Sequence, residues 1–117
     1  MELTVTHRDD GILLLSLSGR LDIAGTGEVE NKFAFQSATQ KAAVLVDLSD
    51  VTFIASIGMR LLLSNAGAQS QRCGLTVLFN PQPLVKDALI TAGFEQLIPM
   101  YDDFDKACEA LQTAVAS

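Results

Sequence analysis

The chain of 117 residues is poor in the residue types from which metal and catalytic centres are usually built. It contains no tryptophan, one tyrosine, one histidine, two cysteines and three prolines. Metal sites and acid–base centres commonly combine histidine, cysteine and carboxylate side chains, and no His/Cys cluster occurs here. We therefore expect no metal site, no cofactor and no catalytic role for the single histidine, His7.

Basic residues are also few and scattered along the chain. The chain has eight lysines and arginines and fourteen acidic residues, which gives a formal net charge of −6. Nucleic acid-binding proteins concentrate basic residues in a patch, so we expect no nucleic-acid partner. No apolar run approaches the length of a membrane span, and the first residues do not resemble a signal peptide. We expect a cytoplasmic protein without membrane insertion.

The composition is that of a globular protein, with 49% hydrophobic residues. A chain of this length can bury a hydrophobic core without disulfides, so one domain spanning residues 1–117 is expected. Cys73 and Cys108 lie far apart, each among apolar residues of a predicted helix. We interpret both as small buried hydrophobic residues in a reducing compartment.

Hydrophobic periodicity predicts strands and helices in the order β-β-α-β-α-β-α-β-α. The predicted strands cover residues 3–6, 12–18, 42–48, 75–79 and 97–100. The predicted helices cover residues 24–40 and 57–72, a segment ending at 92, and a segment beginning at 102–103. Residues 8–11 are predicted as a hairpin turn and residues 19–22 as a loop. This alternation predicts an α/β fold with a mostly parallel mixed sheet of about five strands and four helices.

Three of the predicted helices carry apolar stripes that should face the sheet. In the first, Val29 and Phe33 are assigned to the inner face, and Gln36 or Ala38 is left open as a third position. The stripes of the third and fourth helices are, respectively, Leu84, Val85, Ala88, Leu89 and Ala92, and Phe104, Cys108, Leu111 and Val115.

The most informative segment runs from Val44 to Leu63. An apolar strand leads into a short loop with one serine and one glycine, and an apolar helix follows at once. The first backbone N–H groups of a helix are unpaired and the helix dipole is positive there, which suits a phosphate or an acidic group. We predict that a regulated site lies between Phe53 and Arg60.

The motifs of the chain, taken in order, resemble the STAS domain family of the anti-sigma factor antagonist type over nearly the whole length. Each motif alone is weak, but together they form a fairly specific match. They are Leu17-Ser18-Gly19-Arg20-Leu21-Asp22, Val46-Asp47-Leu48-Ser49-Asp50-Val51-Thr52-Phe53-Ile54, Ser56-Ile57-Gly58-Met59, Asn80-Pro81-Gln82-Pro83-Leu84-Val85, Ala92-Gly93-Phe94 and Pro99-Met100-Tyr101.

The resemblance implies a STAS-like fold and a non-enzymatic bacterial switch protein. Such antagonists bind an anti-sigma factor, often a serine-protein kinase of the GHKL type, and thereby free a sigma factor. A serine phosphatase can be a further partner. Phosphorylation of a serine or threonine in the loop before the second helix breaks the interaction with the anti-sigma factor.

The chain departs from the family motif at the phosphoacceptor. The motif usually reads Asp-Ser-Ser/Thr-Gly, and the acceptor directly precedes the glycine. Here the acceptor place is Ile57 and the aspartate place is Ala55, so only Ser56 keeps a hydroxyl group, one residue early. A subgroup with the pattern Ser-x-Gly-Leu-Arg-x-Leu-Leu is closer to this chain.

For several residues of this region the sequence leaves two interpretations open. Ser56 is either an off-register phosphoacceptor or the N-cap of the second helix. Gly58 either allows a partner to approach closely or fits a tight turn, and Ile57 is either an exposed anchor or a core residue. Asp22 either binds a partner or caps the first helix, and Arg60 is either solvated or a phosphate clamp. The predicted partner-binding set is Asp22, Ala55, Ser56, Ile57, Gly58, Met59 and Arg60.

Three functional hypotheses follow. The first is an anti-sigma factor antagonist, present as a monomer or weak dimer. The second is a stand-alone STAS adaptor subunit of a transport or other signalling assembly, which neighbouring genes would distinguish from the first. A small α/β enzyme is the third, and it is disfavoured because the sequence has neither a glycine-rich phosphate loop nor paired catalytic groups.

Overall fold

A computed structural model describes residues 1–38 and 41–116 of the chain. Within these residues it contains five strands and four helices, in the order predicted from the sequence. The strands are β1 (Glu2–His7), β2 (Ile12–Leu21), β3 (Ala43–Ile54), β4 (Leu75–Phe79) and β5 (Met100–Tyr101). The helices are α1 (Ile23–Ala38), α2 (Ser56–Gln71), α3 (Pro83–Thr91) and α4 (Phe104–Ala116).

The strands form one mixed sheet in the order β1-β2-β3-β4-β5. The hairpin of β1 and β2 is antiparallel, and every later pair of neighbours is parallel. The predicted hairpin turn is confirmed, since the Arg8 N–H donates to the Ile12 carbonyl at 3.0 Å. The predicted α/β fold class is therefore confirmed.

The two faces of the sheet carry separate hydrophobic clusters, because successive residues of a strand point to opposite sides. In β3, Val44 and Val46 belong to a large cluster with buried residues of α1, α2 and α3. Ala43 and Leu45 belong to a smaller cluster with residues of α4. Three helices thus cover one face of the sheet and α4 packs on the other.

Two strands are longer than predicted. Residues 19–21, predicted as a loop, continue β2, with Arg20 opposite Phe53 and Leu21 opposite Ile54. The predicted end of β3 at residue 48 is also wrong, because the ladder continues past a register shift near Ser49. There the Asp47 carboxylate accepts a hydrogen bond from the Ser49 N–H at 2.9 Å. Polar residues thus mark an irregularity of the sheet here and not the end of a strand.

The last strand also lies elsewhere than predicted. A 3-10 turn at Phe94–Gln96 follows Gly93, whose φ of +84° suits glycine, and β5 covers only Met100–Tyr101. Leu97, predicted as a strand residue, is 60% exposed. Phe94 of this turn and Ile98 after it are both buried in the larger core cluster, so this segment packs on the core without forming a strand.

The helices differ from their predicted bounds and stripes at a few positions. Helix α1 begins at Ile23 and is described to Ala38, and residues 39 and 40 of its predicted span lie outside the described residues. Val29 and Phe33 are buried as predicted, and Thr26 and Ser37 are also buried on this stripe, while Gln36 is only half-buried. The side chains of the candidates Ala38 and Val115 also lie outside the described residues.

Helix α3 buries a narrower stripe than predicted. Val85 and Leu89 are buried, whereas Leu84 is 80% exposed and Ala92 lies beyond the end of the helix. A helix of nine residues offers little more than two turns to the sheet, so residues at either end reach past the core. In α4, Cys108 and Leu111 are buried as predicted.

The two cysteines have different surroundings. Cys108 is buried, and this burial raises the pKa of its thiol. Cys73 is exposed, with a φ of +64°, beyond the end of α2, so its predicted burial in a helix is wrong. The left-handed residue that reverses the chain after α2 is thus Cys73 and not the glycine that follows it. Gly74 packs so closely on Ala42 and Gln69 that a Cβ there would clash.

A buried hydrogen-bonded network fixes α1 against α2. Gln69 accepts a hydrogen bond from the Ala42 N–H at 2.9 Å and donates one to the Ser37 carbonyl. Ser37 donates its hydroxyl hydrogen to the Asn65 side chain at 3.0 Å. Because buried polar groups are costly to leave unpaired, this network resists any change in the spacing of the two helices.

Candidate functional site

The candidate site lies at the edge of the sheet where β2 and β3 end. These strands are parallel, so their carboxyl ends meet at the same edge, and each leads directly into a helix. The Ala55 N–H, just after β3, donates to the Leu21 carbonyl at the end of β2 at 2.9 Å. This bond places the beginnings of α1 and α2 side by side.

Helix α2 begins without a side-chain cap. Its N-cap residue is Ala55, which is extended (φ −102°, ψ 172°), and among the described residues no side chain caps it. Its first turn also has no acidic residue. The N-cap hypothesis for Ser56 is therefore wrong, because the bond from Ala55 to Leu21 sets the helix to begin at Ser56 itself. Ser56 is exposed, and it lies at a helix end that attracts negative charge.

Gly58 is buried inside the fold. A Cβ at this position would lie 2.8 Å from the Leu21 Cβ and 2.9 Å from the Leu21 carbonyl oxygen. Gly58 is in the first helical turn and not in a tight turn, so it lets α2 approach β2 closely. The sequence-based alternatives, a tight turn or a close approach by a partner, did not include this packing role.

The other predicted residues of the α2 start differ in exposure. Ile57 and Met59 are half-buried, and Met59 packs against the larger core cluster. Ile57 thus falls between the two interpretations, an exposed anchor and a core residue. Arg60 is exposed and forms no ion pair with any residue that the structure describes, as a solvated helix residue would.

Asp22 caps α1, as one of its two interpretations stated. Its carboxylate accepts a hydrogen bond from the Gly25 N–H at 2.8 Å and lies 3.3 Å from the Arg20 Nε. The guanidinium carbon of Arg20 lies 4.3 Å from the centre of the Phe53 ring. The bond from Gly25, followed in importance by the Arg20 side chain, holds the pKa of the Asp22 carboxyl below its usual range.

This lowered pKa predicts a pH dependence of the stability difference between the wild type and Asp22→Asn. Asparagine keeps a capping oxygen but cannot ionise. Because the native pKa of Asp22 is depressed, its charge stabilises the fold above the unfolded-state pKa, about 4, and this gain is lost as the pH falls through the native pKa.

Urea unfolding at several pH values checks this expectation. At neutral pH the free energy of unfolding of the wild type should exceed that of Asp22→Asn by a constant margin. This margin should shrink below about pH 4. Asp87→Asn, at an exposed position outside the cap, is the control and should show no such change. A margin that does not depend on pH would show that the charge of Asp22 does not stabilise the helix.

Two exposed residues of this edge, Arg20 and Ile23, lie outside the predicted partner-binding set, and Phe53 only bounds the predicted region. The exposed fractions of Ile23 and Phe53 are 77% and 39%, which is high for large apolar side chains. The position of Ile23 directly after a capping aspartate, off the buried stripe of α1, was an available signal. The pairing of Arg20 with Phe53 could not be anticipated, because it depends on the extended register of β2 and β3.

The arrangement is suited to binding. It combines an open helix N-terminus, a surface carboxylate and exposed apolar side chains. Within residues 1–38 and 41–116, no group of three His, Cys, Asp or Glu side chains could hold a metal ion. In the same residues, no helix combines the length and the apolar character that crossing a membrane requires.

Comparisons with known proteins give a consistent result. Residues 4–107 match the sequence model of the STAS domain. BtrV of Bordetella bronchiseptica, named as a candidate anti-sigma factor antagonist, is 30% identical over 115 residues, which cover 98% of each chain. The anti-sigma-F factor antagonist RsfB of Mycobacterium tuberculosis is 32% identical over 78 residues, or 66% of this chain and 61% of RsfB.

A solved structure shows the same fold. The crystal structure of a candidate anti-sigma factor antagonist from Thermotoga maritima superposes with a TM-score of 0.85, covering 94% of each chain. Its sequence is 19% identical to this one, so the likeness concerns the fold.

Proposed function

The chain belongs to the STAS domain family, and from that premise we propose that it is an anti-sigma factor antagonist, a non-enzymatic protein that binds an anti-sigma factor and frees a sigma factor. The names of its relatives support this role. The structural observation that carries the proposal is the uncapped beginning of α2, held beside Asp22 at an exposed edge of the sheet.

We call the proposed docking surface the switch-end surface. It consists of the predicted partner-binding residues, with Gly58 acting through its packing on Leu21: Asp22, Ala55, Ser56, Ile57, Gly58, Met59 and Arg60. Ser56 and Arg60 are exposed and Ile57 is half-buried. A partner can therefore contact a hydroxyl group, a positive charge and an apolar side chain on this surface. Ile23 and Phe53, which adjoin this set in the chain, add exposed apolar side chains, and apolar side chains beside charged ones are typical of interaction surfaces.

The partner we propose is an anti-sigma factor that is also a GHKL-type serine kinase. The first N–H groups of α2 favour an acidic group of the partner, while the Asp22 carboxylate favours a basic one. Both charges lie at the same edge of the sheet, so a partner with both charge types can fit them in only one orientation. This geometry would fix the orientation of the partner in the complex.

Regulation would act through Ser56, the one hydroxyl residue between Phe53 and Arg60. A phosphate would add about −1.5 to −2 charges. The positive end of α2 can accommodate this charge without unfolding, but inside an interface the charge would be repelled and costly to desolvate. If Ser56 is not modified, the isoleucine at the family's acceptor place makes the protein a constitutive antagonist.

The test uses purified protein and each GHKL-type serine kinase of its own genome. Binding is measured by calorimetry, and the tryptic peptide that contains Ser56 is analysed by mass spectrometry after incubation with ATP. We expect binding by one kinase and phosphate on Ser56, which is lost in Ser56→Ala but not in the control Ser70→Ala, at an exposed position of the same helix. Binding without phosphate would assign regulation to the partner, and the absence of binding to every kinase would contradict the antagonist function.

A further inference from the structure

A groove runs between α1 and α2, beginning at the switch-end surface and leading away from it. Its volume is about 380 Å³, and its lining includes Thr26, Glu30, Ile57, Arg60, Leu61 and Ser64. The buried network of Gln69 and Asn65 fixes the spacing of the two helices, so the groove is a preformed feature of the fold.

Thr26 lies in the wall of the groove with an unsatisfied hydroxyl group. The residue is only 1% exposed, and its Oγ1 has no hydrogen-bond partner among the described residues. Native structures leave few buried polar groups unpaired, so each one requires an explanation. A polar group brought into the groove by a partner would provide the missing hydrogen bond once the threonine side chain adopts a rotamer that turns its hydroxyl group to the groove.

The two walls of the groove carry opposite charges that remain unpaired. Glu30 on α1 and Arg60 on α2 form no ion pair within the part of the chain that the structure describes. A charged group at the centre of the groove would be attracted by one wall and repelled by the other. An uncharged polar tip avoids this conflict, while charged neighbours of that group can pair with Glu30 and Arg60 at the rims.

The groove is continuous with the switch-end surface, because Ile57 and Arg60 belong to both. We propose that the groove receives one side chain of the anti-sigma factor, with an apolar stem against Ile57 and Leu61 and an uncharged polar tip hydrogen-bonded to Thr26. This inference rests on the proposed function, since it names the part of the same partner that sets specificity.

A matched pair of variants tests whether the groove is occupied. Ser64 and Ser70 are both exposed and both lie on α2, but only Ser64 lines the groove. Ser64→Trp should fill the groove and lower the affinity for the kinase about 10-fold or more, while Ser70→Trp leaves the affinity unchanged. The chain has no tryptophan of its own, so the fluorescence of each free variant reports directly on the new indole.

A second variant tests the hydrogen bond to the hydroxyl group. Thr26→Val removes the unpaired Oγ1 and keeps the shape of the side chain, so the free protein should be at least as stable as the wild type. If a partner group bonds to Thr26, the same variant should bind the kinase about three- to tenfold more weakly. If Thr26 has only a structural role, Thr26→Val should bind the kinase as tightly as the wild type does.

The outcomes distinguish this inference from the proposed function. If the wild type binds no kinase, both are wrong. If the wild type binds and Ser64→Trp binds equally well, the antagonist function stands and the groove inference is overturned. A concentration-dependent dimer of the free protein that Ser64→Trp abolishes would also overturn it, because the groove would then hold a second copy of this chain.

Discussion

Replacing Ile57 by glutamate is expected to lower the affinity for the anti-sigma factor by about 100-fold or more. Ile57 is half-buried and lies at the junction of the switch-end surface and the α1–α2 groove. The substitution places a carboxylate at the position where the family carries its phosphate. In the complex this charge would be desolvated inside the interface, and the loss of affinity reflects that cost.

The fold of this variant should remain intact. An acidic residue in the first turn interacts favourably with the helix dipole, and the native first turn of α2 has none. The melting temperature should therefore change little, which separates a binding defect from unfolding. Ile90→Glu is the matched control: Ile90 is 37% exposed on α3, outside the switch-end surface, and its variant should bind normally.

Titration calorimetry with the kinase-type anti-sigma factor measures both variants against the wild type. Equal affinities for Ile57→Glu and the wild type would show that the start of α2 does not enter the interface. A loss of affinity in Ile90→Glu instead would move the docking surface to α3.

Replacing Gly58 by alanine is expected to lower the free energy of unfolding by about 1–3 kcal/mol. The new Cβ would lie under 3 Å from both the Cβ and the carbonyl oxygen of Leu21, so α2 would have to move away from β2. The Ala55–Leu21 hydrogen bond at this junction would lengthen, and the position of Ile57 would shift with it. We therefore also expect weaker binding to the anti-sigma factor.

Gly67→Ala on the same helix provides the control. Apart from its chain neighbours and the adjacent backbone of its own helix, a Cβ at Gly67 would meet no heavy atom of the described residues within 4 Å. Alanine there should stabilise the protein by about 0.5–1 kcal/mol, because glycine is the weaker helix former. Urea unfolding of the two variants should thus give changes of opposite sign. Stabilisation by Gly58→Ala as well would show that α2 and β2 are not closely packed at Leu21.

The fold was predictable from the sequence because its signals are local. The alternation of apolar strands with amphipathic helices predicted the element order, and β4 was predicted with its observed bounds. Strand ends were harder to predict, since β2 and β3 extend through the polar residues Ser18 and Ser49 by pairing with each other. No local pattern indicates the left-handed backbone of Cys73 or the close packing of Gly74 on Ala42.

The place of the functional site stays a prediction from the sequence, and the local geometry of its residues was only partly anticipated. The region of Phe53 to Arg60 and the capping role of Asp22 both follow from residue types and spacing. The helix start at Ser56 and the packing role of Gly58 depend on a bond and a contact with Leu21, which is more than thirty residues away in the chain. Such contacts between distant segments are fixed by the tertiary fold.

Hydrogen–deuterium exchange of the wild-type protein, free and bound to the proposed kinase-type anti-sigma factor, tests the central claim most directly. We predict that binding slows exchange in peptides that cover residues 20–26 and 55–61, while peptides of α4 exchange as in the free protein. Slower exchange in α4, with no change around Ser56, would contradict the proposed docking surface.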